Sequence, residues 1–371
     1  MVNIAFTGGG TGGHIYPGLA VASALKNEFT NSQFRLFWIG SSKGMDRSIV
    51  EEAGIEFFAV PSGKLRRYFS FKTAADFFKI IASFFASRKI LKKQKADIIF
   101  SKGGFVSVPP CAAAASLKIP VFTHESDFSP GLATKINVRS VLKTEGKIFT
   151  AYEETKNFFH EKYKPLVIKT GNPVRSAFKN ADPQRGRKFL GLQNDERILL
   201  VLGGSQGAKE INNLILESIH ELGEIYTVVH QTGINNELKE KESVRYKPFS
   251  YIKEELPDVM AAAELILGRS GAGIWEWAVC GKPMILIPLS GSGTRGDQIE
   301  NAQYFKETGA AEVLTGSDVN SGNLIRIVKT LAGDPEKRKT MSQFSFKIAE
   351  ADSAKEIAYI LFKAVNKGEN N

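Results

Sequence analysis

One local pattern occurs twice in this chain and restricts the folds open to it: a short apolar run, a glycine-rich loop, then a segment of helical periodicity. The first copy is "NIAFTGGGTGGHIYPGLAVASAL" from residue 3, and the second is "RILLVLGGSQGAKEINNLILESI" from residue 197. Further strand-like runs follow each copy: "FRLFWIG" (34–40), "EFFAV" (56–60), "DIIFS" (97–101) and "PVFTHE" (120–125) after the first, and "IYTVVHQTG" (225–233), "AELILGRSGAG" (263–273) and "KPMILIPL" (282–289) after the second. Strands alternating with helices imply βαβ units and a parallel sheet. The expected fold class is therefore α/β, with two Rossmann-like domains facing each other across a cleft. A chain of 371 residues is long enough for both. The expected boundaries are 1–170, 171–350, and a final amphipathic helix within 351–371 that packs back towards the N-terminal domain.

Gly8, Gly10 and Gly13 satisfy the dinucleotide spacing G-x-G-x-x-G. That site also needs an Asp or Glu at the tip of the second strand to bind a ribose. Here the second strand runs into "SSKGMD", with no carboxylate at its tip, and Glu28 falls before the strand begins. No G-x-x-x-x-G-K-[ST] occurs either. What remains is the general property of glycine loops at helix N-termini: their N–H groups favour anions and let a phosphate approach closely. Three such loops, the third being "SKGGFVS" (101–107), imply a cleft that handles a diphosphate.

The net charge of +10 calls for an acidic partner, and its location says which. Residues 63–97 hold ten Lys/Arg against two Asp. Phe77, Phe78, Ile81, Phe84, Phe85 and Leu91 recur there at near-helical spacing, beside Arg88 and Lys89. A basic segment with an aromatic face reads as a contact with an anionic membrane surface. The competing reading places the phenylalanines in the core and the lysines on a solvated rim. Charge gathered on one Phe-rich segment, with no zinc or RNP-like motif, argues against nucleic acid. Cys111 and Cys280 form no metal-like cluster and suit a reduced compartment. No signal peptide and no spanning run of apolar residues is visible.

Taken in order, "GGTGGHIYPGLAVA", "GGFVSVP", "HESDFSPGLATK", "GNPVR", "GGSQGAKEIN", "GRSGAGIWE" and "RGDQIENA" resemble the motifs of glycosyltransferase family 28, the GT-B enzymes that add GlcNAc to lipid-linked MurNAc-pentapeptide during peptidoglycan synthesis. The resemblance runs from residue 7 to about residue 302. It implies an inverting GT-B enzyme without metal or other cofactor, in keeping with the absence of a D-x-D motif. Its donor would be UDP-GlcNAc, its acceptor undecaprenyl-diphospho-MurNAc-pentapeptide, and its location the cytoplasmic face of the cell membrane, peripherally bound.

The resemblance also implies roles. Ser205, Gln206 and Gly207, with Arg175, would face the UDP diphosphate; Ile252 would offer backbone groups to the uracil. Glu276 would accept from the ribose hydroxyls beside Ala272 and Gly273, and Gln298 would bind the GlcNAc. Thr11, Gly12, Gly13, His14, Gly103 and Gly104 would cradle the acceptor diphosphate or close over the donor, with Asp127 also at the donor. His14, Asp127 and Glu125 are the candidate bases, and the sequence does not choose among them. His14 is expected at a helix N-terminus, where the dipole would keep it neutral. The chain departs from the family in a shorter Arg269–Glu276 spacing and in Asp127 and Asp297. Alternatives are another GT-B transferase with a lipid acceptor such as a diacylglycerol, a UDP-GlcNAc 2-epimerase-like enzyme, and a non-catalytic sugar-nucleotide-binding protein.

Overall fold

A computed structural model describes residues 2–29, 34–44, 46–63, 71–204, 207–234, 238, 242–291 and 294–366, without the side chains of 71–75. It divides into two compact units, Met1–Arg175 with Ala351–Asn371, and Ser176–Glu350.

The first unit alternates β1 (Val2–Thr7), α1 (Tyr16–Glu28), β2 (Phe34–Ser41), α2 (Asp46–Glu52), β3 (Glu56–Val60), α3 (Phe71–Lys93), β4 (Ile98–Ser101), α4 (Val108–Ser116), β5 (Val121–Glu125), α5 (Leu132–Lys143), β6 (Ile148–Thr150) and β7 (Val167–Lys169). Its seven strands lie in the order β3-β2-β1-β4-β5-β6-β7. All pairs are parallel, as in β1–β4, where Ile4 pairs with Ile98 and Thr7 with Ser101. Parallel strands are buried on both faces, so their residues are apolar in both registers. Ile4, Phe6, Trp38 and Phe100 pack on one face with α1, while Ala5, Phe37, Ile39 and Ile99 pack on the other with α4 and α5.

The C-terminal helix (Ser353–Asn366) belongs to this unit. It buries Ile357, Ala358 and Leu361, spaced as one helical face, beside Val21 and Leu25 of α1. Phe362 stacks on Phe29 at 3.9 Å. Full burial of a side chain the size of Ile357 or Leu361 contributes about 1.5–3 kcal/mol.

The second unit runs through α6 (Ser176–Lys179), α7 (Pro183–Leu190), β8 (Ile198–Leu202), α8 (Lys209–Gly223), β9 (Thr227–Gln231), β10 (Tyr246–Phe249), α9 (Leu256–Ala262), β11 (Leu265–Gly268), α10 (Ile274–Val279), β12 (Met284–Leu286), α11 (Asp297–Glu307), β13 (Ala311–Val313), α12 (Ser321–Gly333) and α13 (Pro335–Ile348). Its parallel sheet is ordered β10-β9-β8-β11-β12-β13. Counted within each unit, both sheets therefore begin 3-2-1-4. The chain reverses direction across each sheet between the first and fourth strands, where α/β sheets place their ligands. The loops after β1 and β4, and those after β8 and β11, are at these points. All four were marked by glycine in the sequence. The α/β class and the pair of parallel sheets agree with the expected fold.

Candidate active site

The loop after β1 is held from below. Asp46, the first residue of α2, is 1% exposed, and its two carboxylate oxygens accept the Gly10 N–H at 3.1 and 3.2 Å. A Cβ on Gly9 would stand 2.1 Å from Asp46 Oδ2, so this close approach requires glycine. Trp38 Nε1 donates to the Gly8 carbonyl at 3.0 Å. A carboxylate therefore does follow the second strand, five residues past its end, and it takes the anion position of the loop itself. The tip of the strand itself carries no carboxylate, as expected, and the engagement of Asp46 by the loop gives a second reason against a dinucleotide.

A 3-10 turn (Gly12–His14) follows, and α1 begins only at Tyr16. His14 thus sits ahead of the helix and not in its first turn, which corrects the argument from the helix dipole. Its Nδ1 lies 3.0 Å from Thr11 Oγ1. The ring rests on the loop after β4: a Cβ on Gly104 would be 3.3 Å from His14 Nδ1. The N–H groups of Gly12 and Gly13 open the turn and are not used within it. The Gly103 N–H, by contrast, donates to Ser101 Oγ at 3.1 Å, and Asn137 of α5 donates to the same hydroxyl at 3.2 Å. Tyr16 packs on Gly12, and the Arg175 guanidinium lies over the Tyr16 ring at 4.4 Å. Arg175 was grouped with the second-half donor residues; the structure places it in the first unit, stacked beside the first loop.

Glu125 closes β5 and is fully engaged. Oε1 accepts from the N–H groups of Ser126 (2.9 Å) and Asp127 (3.0 Å), and Oε2 from the Gly131 N–H (2.9 Å) and Thr134 Oγ1 (2.6 Å). Four donors fill the acceptor positions of a carboxylate, so Glu125 anchors the loop 125–131 and is removed as a candidate base. Asp127 is part-exposed on that loop. His124, on β5, donates Nε2–H to the Gly171 carbonyl at 2.9 Å. Burial, then the positive charge of Lys102, holds its pKa well below the usual value, so it is neutral. Lys102 was not singled out by any motif; it is 1% exposed and donates to Ser126 Oγ at 3.1 Å.

In the second unit, Gly207 has φ +75°, and a Cβ there would stand 2.0 Å from the Thr232 carbonyl oxygen. Ser205 and Gln206 lie outside the described residues. Gln231, at the end of β9, accepts the Ile252 N–H at 2.9 Å. Ile252 therefore has its carbonyl but not its N–H to offer, which narrows its expected role. Beneath the loop, Asn212 donates to the Thr232 carbonyl (2.9 Å) and accepts from His230 Nε2 (3.1 Å), while Tyr246 Oη lies 3.0 Å from His230 Nδ1. Burial pushes His230 down to about 4, leaving it neutral.

After β11, Ser270 Oγ donates to the Gln298 carbonyl at 2.7 Å, and Asn301 donates to the Ser270 carbonyl at 3.0 Å. Gln298 Oε1 accepts the Leu289 N–H at 2.9 Å, which turns its amide N–H₂ towards Gly271. Glu276 is part-buried in the first turn of α10, with Ala272 and Gly273 just before it. Asp297 pairs with Arg295 at 3.0 Å. Ala272, Gly273, Glu276 and Gln298 thus share one end of the second sheet with Gly207.

On α3, Phe77, Phe78, Ile81 and Phe85 are exposed, Phe78 by 70%. Phe84 and Leu91 instead pack against the core, Leu91 completely. The expected membrane face thus loses Phe84, because helical geometry turns it inward from Phe85. Lys89 is exposed, while Arg88 donates to Ser116 Oγ of α4 at 3.3 Å. Among the described residues no helix is long and apolar enough to cross a membrane, and no three His, Cys, Asp or Glu side chains gather as metal ligands.

The glycosyltransferase family 28 N-terminal domain matches residues 4–145, and the family 28 C-terminal domain matches residues 198–357. The chain is similar to the UDP-N-acetylglucosamine–N-acetylmuramyl-(pentapeptide) pyrophosphoryl-undecaprenol N-acetylglucosamine transferase of Treponema denticola, 46% identical over 97% of each chain. In fold it resembles Acinetobacter baumannii MurG, with a TM-score of 0.73 at 21% identity, covering 98% of this chain and 100% of that one. The UDP-GlcNAc 2-epimerase of Neisseria meningitidis has a TM-score of 0.68 at 17% identity, covering 98% and 100%. Likeness at that identity speaks for the shared fold alone.

Proposed function

The chain belongs to glycosyltransferase family 28, and on that footing we propose how its residues divide the work of the reaction. It is a UDP-GlcNAc-dependent glycosyltransferase of peptidoglycan synthesis, transferring GlcNAc to undecaprenyl-diphospho-MurNAc-pentapeptide and releasing UDP. In our reading the transfer is one inverting displacement. A base takes the proton of the acceptor hydroxyl, whose oxygen bonds to the anomeric carbon as the bond to UDP breaks and UDP leaves with the electron pair. Neither an epimerase nor a sugar-nucleotide sensor accounts for a full-length match to transferases of this one name.

The donor reading rests on one observation: Glu276 stands part-buried after β11, at the reversal point of the second sheet and on the same end as Gly207 and Gln298. There its carboxylate accepts from ribose hydroxyls, and the Gln298 amide, oriented by Leu289, reaches the sugar. Arg175, stacked on Tyr16, adds positive charge beside the first glycine loop. No metal takes part in this scheme; N–H groups and fixed cations stabilise the leaving UDP.

His14 is the base we favour. Glu125 is saturated, and an imidazole is in general better matched to base catalysis near neutral pH than a carboxylate. Thr11 holds Nδ1 and fixes the ring. The exposed aromatic residues of α3, with Lys89, rest on the anionic cytoplasmic face of the membrane that carries the acceptor. Nucleic acid has no part in this reading. Release of UDP from UDP-GlcNAc, followed with and without a lipid-linked MurNAc-pentapeptide analogue and with EDTA, tests the proposal. Acceptor-dependent release that survives EDTA is expected; acceptor-independent or EDTA-abolished release contradicts it.

A further inference from the structure

Lys102 follows β4 directly and carries a fully buried ammonium. Its backbone N–H donates to the Thr7 carbonyl at 2.9 Å, and its stem runs beneath the first glycine loop, where a Cβ on Gly8 would stand 3.3 Å from Lys102 Cβ. Among the described residues Nζ makes one hydrogen bond, to Ser126 Oγ at 3.1 Å. An ammonium has three donors, and burying it against a single neutral hydroxyl is costly. The group therefore spends stability at this place, between the two loops that present His14 and Asp127.

Its surroundings are specific. Glu125, the last residue of β5, and Asp127 just beyond it favour its charge. His124 on β5 is neutral, and its Nδ1 has no partner within the described structure. His14 comes from the turn after β1, while α5 contributes only the uncharged Thr134 and Asn137. Burial pushes Lys102 down to about 8, so it is charged at neutral pH and loses its charge just above.

We propose that Lys102 is a positioning residue for the transfer: its ammonium fastens the loop after β4 to Ser126 and holds the Asp127 segment in its working arrangement. Charged Lys102 is then a condition of turnover although it touches no substrate. The inference rests on the reading of the chain as a GlcNAc transferase.

The test is steady-state UDP release by the full chain from pH 6 to 10, with the lipid-linked analogue, for wild type, Lys102→Arg, Lys102→Met and Ser126→Ala, each checked by its melting temperature. Wild type is expected to lose kcat through an alkaline limb near pH 8. Lys102→Arg retains activity without that limb, because a guanidinium stays charged throughout. Lys102→Met loses kcat roughly tenfold or more at pH 7, with the KM for UDP-GlcNAc within about twofold of wild type. A folded Lys102→Met with wild-type kcat, or a limb unchanged in Lys102→Arg, overturns the proposal. If Lys102→Met does not fold, Ser126→Ala decides beside Lys102→Arg: losing the hydroxyl moves the limb to lower pH, and an unmoved limb overturns the proposal. A wild type that releases no UDP with the analogue contradicts the transferase reading instead. Lys102 is then judged by amide hydrogen exchange over residues 126–131, faster in Lys102→Met if the proposal holds and unchanged if it fails.

Discussion

After β1 a buried carboxylate, Asp46, holds the glycine loop; after β8 the corresponding loop rests on Thr232, which the Asn212 amide fixes. The contrast continues at the neighbouring strand ends. Those of the first unit gather buried ionisable side chains: Asp46, Lys102, His124 and Glu125. Those of the second are cross-linked mostly by amides and hydroxyls, Gln231, Asn212, Ser270, Gln298 and Asn301, together with one buried neutral histidine, His230, and the ion pairs Arg269–Glu210 at 2.8 Å and Arg295–Asp297 at 3.0 Å. Two sheets with one topology are thus furnished differently at their strand ends. Buried ionisable groups are costly and suit a place where a proton moves. Amides satisfied by one another make a rigid surface for recognising hydroxyl and carbonyl groups. In the proposed scheme proton transfer falls to the first unit and nucleotide recognition to the second.

The strongest challenge to this division is His14→Ala. Loss of a general base lowers kcat about 10²–10⁴-fold, whereas Asp127→Asn is expected to stay within roughly tenfold of wild type. Kinetics with the lipid-linked analogue read both, and the reverse order moves the base to Asp127. Next comes Glu276→Ala. A hydrogen bond to a charged acceptor is worth about 1.5–3 kcal/mol, so the KM for UDP-GlcNAc rises on the order of tenfold or more while the melting temperature holds. A change confined to kcat would sever Glu276 from the donor.

Asp46 sharpens the comparison through stability. Asp46→Ala strands the Gly10 N–H and costs about 1–3 kcal/mol in denaturant unfolding, whereas Asp46→Asn keeps an acceptor there. Burial holds the Asp46 carboxyl above its ordinary 3.8, with the Gly10 N–H pulling the other way. Between those two values the folded state binds more protons than the unfolded one, so this group makes stability fall as pH rises through that window. Asp46→Asn removes that slope; an identical pH profile would show that Asp46 does not supply it.

The smallest effect concerns α3. Phe78→Ser with Phe85→Ser weakens binding to anionic vesicles by about tenfold. The same change at Phe344 and Phe346, exposed on the second unit, leaves binding unaltered. Equal losses from the two pairs would remove the membrane contact from α3.

Much of this was legible because long apolar runs and glycine clusters are local signals. "ILLVL" and "FRLFWIG" read as strands and became β8 and β2. β6, β7 and β13 have three residues each and no periodicity to detect, and β10 carries Pro248, which argues against a strand in any but an edge position. In the site, the glycine loops announced themselves, but their partners did not. Asp46 reaches Gly10 from 36 residues away. Glu125 looked like a base until its four donors were seen, and Lys102 resembled any surface lysine beside a glycine pair. Phe84 and Phe85 are adjacent in sequence, yet the helix turns one inward and one outward. Pairing at a distance decides such cases, and a single sequence does not display it.

The division of labour is tested most directly by UDP binding to the full-length His14→Ala and Glu276→Ala proteins, measured by titration calorimetry beside wild type. His14→Ala should bind UDP with wild-type affinity while its turnover is lost, and Glu276→Ala should bind it roughly tenfold or more weakly. Equal weakening in both variants, or full affinity in Glu276→Ala, would contradict the assignment of the proton to the first unit and the nucleotide to the second.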